Sequence, residues 1–174
     1  MFKGEKVLIR ALEPEDADTI WRWENDTTLW RVSHTKAPFS KKLIYEYVNS
    51  GQDIYKHQQV RWMIVNVSNN EPVGTLDFFE YDNFNQRAGV GILIADPKDR
   101  GHGFAREALE LGLQYGFDFL QLRNVYCNIL EDNAKSQKLF ASLGFQKIAE
   151  KKDWIKTNEG WMDEWLYQLN RKDR

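Results

Sequence analysis

The strongest constraint on the fold is one helical stripe. Ala105, Ala108, Leu109, Gly112, Leu113, Gly116, Phe117 and Leu120 recur at alternating spacings of three and one. That is the period of a helix with a single buried face, and such a face needs a sheet or another helix to lie on. The preceding residues have strand character. Arg61 to Val67, Val73 to Tyr81 and Gln86 to Ala95 are three strand-like runs. Turn residues join them, Ser68-Asn69-Asn70-Glu71-Pro72 and Asp82-Asn83-Phe84-Asn85, which predicts an antiparallel meander. After the helix come a strand over Asn124 to Leu130 and a helix over Ala134 to Leu143, capped by Asn133 and stopped by Gly144. Two strands, Gln146 to Ile155 and Trp161 to Leu169, end the pattern. Before the meander, Lys6 to Leu12 reads as a strand with Val7, Ile9 and Ala11 on one face. A helix then starts at Glu13-Pro14-Glu15-Asp16 and ends near Asp26. Thr27 to Phe39 is irregular, and a second helix runs from Ser40 to a stop at Gly51. The predicted order is β-α-α-β-β-β-α-β-α-β-β. This is an α/β (mixed α+β) chain with a mixed sheet and helices on both faces. We expect one domain over residues 1–174.

Composition removes several function classes. The 24 Lys and Arg nearly balance 26 Asp and Glu, so no basic excess points to nucleic acid. No apolar run approaches the ~18 residues of a membrane span. The opening MFKGEKVLIRAL carries charges where an export signal needs an apolar core, so a cytoplasmic location is expected. Cys127 is the one cysteine, which excludes an internal disulfide and a multi-Cys zinc site. His34, His57 and His102 share no metal-ligand spacing, and no metal is expected.

The chemistry-bearing segment is Arg100-Gly101-His102-Gly103-Phe104-Ala105-Arg106, set between the last meander strand and the striped helix. Successive glycines let several backbone N–H groups point into one concavity. The helix start adds its own free N–H groups and positive dipole end, so the segment suits a pyrophosphate. A Walker loop is excluded by the missing G-K-[ST]. A Rossmann loop is disfavoured because Arg106 stands where its third glycine belongs, after strands that read as antiparallel. An R-x-x-G-x-A loop for coenzyme A and a ligand-free glycine turn both remain.

Loop and element order together resemble the GNAT superfamily of acetyl-CoA-dependent N-acetyltransferases. Arg100, Gly103 and Ala105 match its R/Q-x-x-G-x-G/A signature. Asn133, Ser136, Gly144 and Phe145 match a second segment, an N-x-x-S helix followed by G-F. The likeness runs from about Val7 to Leu169. Ile9-Arg10-Ala11-Leu12-Glu13 and Glu131-Asp132-Asn133 look most like two branches, one acting on ribosomal-protein N-termini and related amines, the other on polyamines such as spermidine.

The resemblance implies acetyl transfer to a primary amine by direct attack in a ternary complex. A peptide N-terminus or small amine is the first acceptor, a polyamine the second, and a non-catalytic acetyl-CoA-binding module the rival from another class. It implies that backbone groups of Leu93, Ile94 and Ala95 hold pantetheine. Loop residues Gly101, His102, Gly103, Phe104, Ala105 and Arg106 would hold pyrophosphate. Asn133, Lys135, Lys138 and Phe140 would sit beside the cofactor. Homodimers are common in the family. The polyamine branch carries a tyrosine proton donor where this chain has Phe140, and a glutamate base where it has Gly89. Ser136 aligns with a serine donor of ribosomal-type members.

Asp77 and Glu80 are the candidate bases. Residues 71–82 hold Glu71, Asp77, Glu80 and Asp82 with no Lys or Arg, which suits a cationic amine. Regular alternation puts Asp77 and Glu80 on opposite faces unless a bulge intervenes. Of Tyr126 and Cys127, one is expected to face the cleft, with Cys127 read as a small buried residue. Trp30 and His34, in the irregular stretch, are the candidate acceptor-pocket residues. Trp21 and Trp23 are read as core. Thr28 to Lys42 holds no acid, so no carboxylate cluster for a second polyamine site is visible.

Overall fold

The computed structural model describes residues 1–33, 35–50 and 52–173. The meander is the middle of one eight-stranded mixed sheet. β1 (Phe2–Lys3), β2 (Val7–Ala11), β3 (Val60–Asn66), β4 (Pro72–Asp82) and β5 (Arg87–Ile94) pair antiparallel in chain order. β5 runs parallel to β6 (Asn124–Leu130). β6 pairs antiparallel with β8 (Gly160–Asn170), and β7 (Gln146–Thr157) forms the outer edge. The helices are α1 (Ala17–Glu24), α2 (Trp30–Ser33), α3 (Lys41–Asn49), α4 (Ile54–His57), α5 (Phe104–Asp118) and α6 (Ala134–Ser142). The predicted order omits β1, α2 and α4. Each has four residues or fewer, too short for a periodic signal.

Side-chain alternation in β3 divides the core. Trp62 and Ile64 join the cluster that receives α5, while Met63 and Val65 face Ile20 of α1 and Ile44 and Val48 of α3. The stripe on α5 is buried as its spacing requires, at Ala108, Leu109, Gly112, Leu113, Gly116 and Phe117. Leu109, Leu113 and Phe117 each contribute about 1.5–3 kcal/mol by leaving water. Val7 and Ile9 are fully buried on β2, whereas Ala11 at its end is exposed. The start of α5 is tied to the opposite end of the sheet by Glu107. Its carboxylate accepts the backbone N–H groups of Glu5 (3.0 Å), Lys6 (2.8 Å) and Val7 (2.7 Å).

The entry to α1 is a second polar anchor. Asp16 is buried, accepts both Nη atoms of Arg10 (2.6 and 2.8 Å), and accepts the Glu13 N–H (2.8 Å). Burial opposes its charge, but the Arg10 and Glu13 bonds outweigh that and hold the carboxyl below its usual range. Its stabilisation is therefore present above the unfolded-state value near pH 4 and lost as pH falls through the lower folded-state value. Asp16→Asn should cost about 1.5–3 kcal/mol at pH 7. In urea unfolding, the gap from the parent protein should close as pH drops below about 4.

Candidate active site at the splayed strands

The parallel pairing of β5 with β6 covers Arg87↔Asn124, Ala88↔Val125 and Gly89↔Tyr126, and stops there. Beyond Gly89, β5 continues on β4 and β6 continues on β8, so the two strands diverge. The Ala95 N–H bonds the Val73 carbonyl on β4. Alternation then turns the N–H groups of Ile92 and Ile94 toward the edge that has lost β6, whereas those of Leu93 and Ala95 point to β4, so of the three expected pantetheine contacts Ile94 alone presents its N–H to that edge. An unpaired strand edge inside a sheet is a ready template for an extended polar ligand. The carbonyls of Ile94 and Ala95 are occupied by the Arg100 side chain (Nε 3.0 Å, Nη2 2.9 Å). Arg100 thus braces the strand end instead of projecting into the cleft.

The glycine loop leads from that end into α5. Gly101 and Gly103 have φ of +85° and +87°, which a side chain would strain, and Gly103 is the N-cap of α5. Lys6 stands over the loop, its Nζ donating to the His102 carbonyl at 3.1 Å. The sequence reading missed this lysine, because the Glu107 strap that places it joins residues about a hundred positions apart. His102 contacts the Lys98 carbonyl (3.1 Å) and lies against Phe104. Arg106 bonds Glu110 and the Ser142 hydroxyl (2.8 Å), bringing the end of α6 alongside the start of α5. Lys135 and Lys138 lie seven and four residues before Ser142, on the same helical stripe, and both are exposed. Asn133 caps α6 by accepting the Ser136 N–H at 3.1 Å, and Ser136 is half-buried in the first turn. Phe140 is 4% exposed and packs edge-on against Phe145. Its ring belongs to the core, and we leave it out of the cofactor set.

On the other side of the sheet, Asp77 and Glu80 part company. Asp77 accepts Arg61 Nε at 2.6 Å, and the same guanidinium bonds Glu24 of α1 and lies over the Tyr47 ring of α3. Burial pushes the Asp77 carboxyl up, Arg61 pulls it down, and the Glu24 charge pushes it up again. Asp77 is therefore committed to a buried ion pair, and we drop it as a base. Burial also raises the Tyr47 phenol, to about 12. Glu80 sits where the β4–β5 register shifts between Phe79 and Asp82, with φ of +49°. The bulge brings it onto the Tyr126 hydroxyl, which donates to its carboxylate. Phe79 lies edge-on to the same tyrosine. At Gly89 a Cβ would fall 2.3 Å from the Phe79 ring, so a side chain there would have to displace that ring. Glu80, Asp82, Arg87, Tyr126, Asn128 and Lys151 are among the residues around a cleft of about 740 Å³.

Cys127 is buried on the opposite face, where desolvation raises its thiol. Trp30 spends its indole N–H on the Glu24 carbonyl (2.9 Å), while its neighbour Arg31 bonds Asp132 beyond β6, linking the irregular stretch to the far half of the sheet. Trp21 and Trp23 pack on the α1–α3 core. His34 lies outside the described residues, as does Gly51.

A family model for the acetyltransferase (GNAT) domain matches residues 6–146. The chain belongs to the GNAT acetyltransferases. It is an N-acetyltransferase, and its mixed fold is that of the family. N-acetyltransferase p20 of Bacillus licheniformis is 26% identical over 97% of this GNAT chain and 95% of its own. Spermidine N(1)-acetyltransferase of Escherichia coli K12 is 27% identical over 86% of this chain and 78% of its own. The crystal structure of spermidine N-acetyltransferase from Vibrio cholerae with CoA and spermine superposes with a TM-score of 0.88 at 21% identity, covering 98% of each chain.

Proposed function

We propose that this GNAT enzyme, a single domain over its length, moves an acetyl group from acetyl-CoA to a primary amine. The observation that carries this reading is the unpaired β5 edge, followed in the chain by a glycine loop that caps α5. The backbone of Ile92 and Ile94 would hold the pantetheine arm. Gly101 to Arg106 would hold the pyrophosphate, with Lys6, Lys135 and Lys138 in reach of phosphate charge. Acetyl-CoA supplies an activated thioester. The amine forms the new C–N bond as the C–S bond breaks, giving the amide, coenzyme A and one released proton. Ser136, relaying a proton from water, is the proposed donor to the departing thiolate. Holding both reactants in one cleft is itself a large part of the rate.

The acceptor is a peptide N-terminus or a small amine. A polyamine is the second reading, favoured by the similarity to spermidine N(1)-acetyltransferases of Escherichia coli and Vibrio cholerae. The reading includes a cytoplasmic homodimer. The test is release of free coenzyme A across spermidine, spermine, aminoglycosides, amino acids and short peptides. A peptide hit supports the first acceptor and a spermidine hit the second. Binding of acetyl-CoA without release on any amine would favour a binding module.

The loop assignment has its own test. Gly103→Asp would place a side chain at a left-handed φ and a negative charge among the phosphate-facing N–H groups. Its Kd for acetyl-CoA should rise at least about tenfold, roughly 1.4 kcal/mol, in titration calorimetry. Unchanged affinity would sink the assignment.

A further inference from the structure

We propose that Glu80 is the base that takes the proton from the attacking ammonium, and that Tyr126 is the residue that positions it. The inference rests on the acetyl-transfer reading and assigns the proton step at that same site.

Three observations converge. The first is location. Tyr126 is the last β6 residue in register with β5, opposite Gly89, so its side chain marks the vertex where the strands part. Glu80 is brought to that vertex by the bulge between Phe79 and Asp82. The second is strain. A φ of +49° at a glutamate is strained and persists only where the surroundings enforce it. Here the enforcing contacts are the Tyr126 hydroxyl on Glu80 and the Phe79 ring seated in the space above Gly89.

The third is elimination among the described carboxylates near the vertex. Asp77 is bound to Arg61. Asp82 accepts the Asn85 N–H (2.8 Å) and side-chain amide (2.7 Å), and pairs with Arg87 at 3.2 Å. Glu80 is exposed to the cleft, with the Tyr126 hydroxyl on one carboxylate oxygen. In the proposed complex the second oxygen meets the incoming ammonium.

In the step itself an N–H bond of the ammonium breaks and an O–H bond forms on Glu80. The freed lone pair attacks, and Glu80 returns its proton to solvent. Burial, then the hydrogen bond and charge of Glu80, raise the Tyr126 phenol, so it stays protonated and serves as a fixed donor. The charged and titratable groups around Glu80 are Tyr81 and Asp82 on β4, Arg87 on β5, Tyr126 on β6 and Lys151 on β7.

The experiment is a kinetic cycle of wild type, Glu80→Gln, Tyr126→Phe and the double variant. It follows coenzyme A release from pH 6 to 10 on the best amine of the panel, with acetyl-CoA affinity measured separately. Glu80→Gln should lower kcat about a hundredfold at pH 7. The deficit should narrow as pH rises and the amine loses its proton unaided, with acetyl-CoA Kd within twofold. Tyr126→Phe should give a smaller loss, and the double variant should be no slower than Glu80→Gln. A Glu80→Gln enzyme within threefold of wild type, or a deficit constant across pH, overturns the base assignment. Additive losses in the double variant overturn the positioning role. Wild type that binds acetyl-CoA but turns over no amine overturns the acetyl-transfer reading and this proposal together.

Discussion

Replacing Arg61 by Met should cost the fold about 3–5 kcal/mol, because it removes one cation from between two largely buried carboxylates. The Arg61, Glu24 and Asp77 side chains are 19%, 17% and 14% exposed. Burial opposes the guanidinium charge, but Asp77, Tyr47 and Glu24 outweigh it and keep Arg61 protonated. Met fills much of the same volume, so the expected loss is electrostatic. Glu24 and Asp77 would face each other with no counter-charge. Two outcomes separate this from simple loss of packing. The deficit in urea unfolding should shrink as pH falls from 7 toward 5, because the stranded carboxylates can then take up protons. Adding Glu24→Gln and Asp77→Asn to Arg61→Met should restore most of the stability, since neutral partners can bond one another. A deficit that ignores pH and survives the triple change would mean that the stem of Arg61, lying over Tyr47, supplies the stability. The cluster also matters to the site. It joins α1 and α3 to β3 and β4, and Asp77 stands three residues before Glu80.

What was legible in the sequence was whatever repeats at short range. The stripe on α5 declares itself over fifteen residues, and β6 has the predicted bounds, Asn124–Leu130. The caps are local as well: Ser40 accepts the Leu43 N–H, and Asn133 accepts the Ser136 N–H. The glycine loop was readable because it needs particular residue types in a row. The other parts of the site depend on pairs that only the fold brings together. Lys6 reaches the loop through a strap to Glu107, and Arg61 meets a carboxylate 37 residues away. Alternation along β4 put Asp77 and Glu80 on opposite faces, and only the register shift decides otherwise. Nothing local marks that shift, since its cause lies partly on β5, where Gly89 leaves room for Phe79. One of these distant partners does carry a local signal. Arg61 interrupts an otherwise apolar run, Val60 to Val65, and a charge in a buried strand requires a partner.

The second large effect is expected at Gly74, where the sheet itself has no room. A Cβ there would lie 1.9 Å from the Leu93 carbonyl oxygen, and both atoms belong to rigid backbone in the paired strands β4 and β5. A flexible side chain could swing away from such a contact, but a ladder carbonyl cannot without breaking its hydrogen bonds. Gly74→Ala should therefore cost at least about 3 kcal/mol, at the upper end of overpacking, despite adding one methyl group. The damage should also reach the chemistry. Gly74 is in register with Ile94, the strand end that Arg100 braces and that is proposed to meet the pantetheine arm. Pushing β5 away from β4 would narrow the gap to β6 or break the bond from Ala95 N–H to the Val73 carbonyl. The folded fraction of Gly74→Ala should consequently bind acetyl-CoA more weakly than the parent protein, at a temperature well below its lowered unfolding midpoint. Lost stability with parental affinity would show that β5 can shift without disturbing the cofactor edge. That result would move the pantetheine contacts off Ile92 and Ile94 and onto the diverging strand β6.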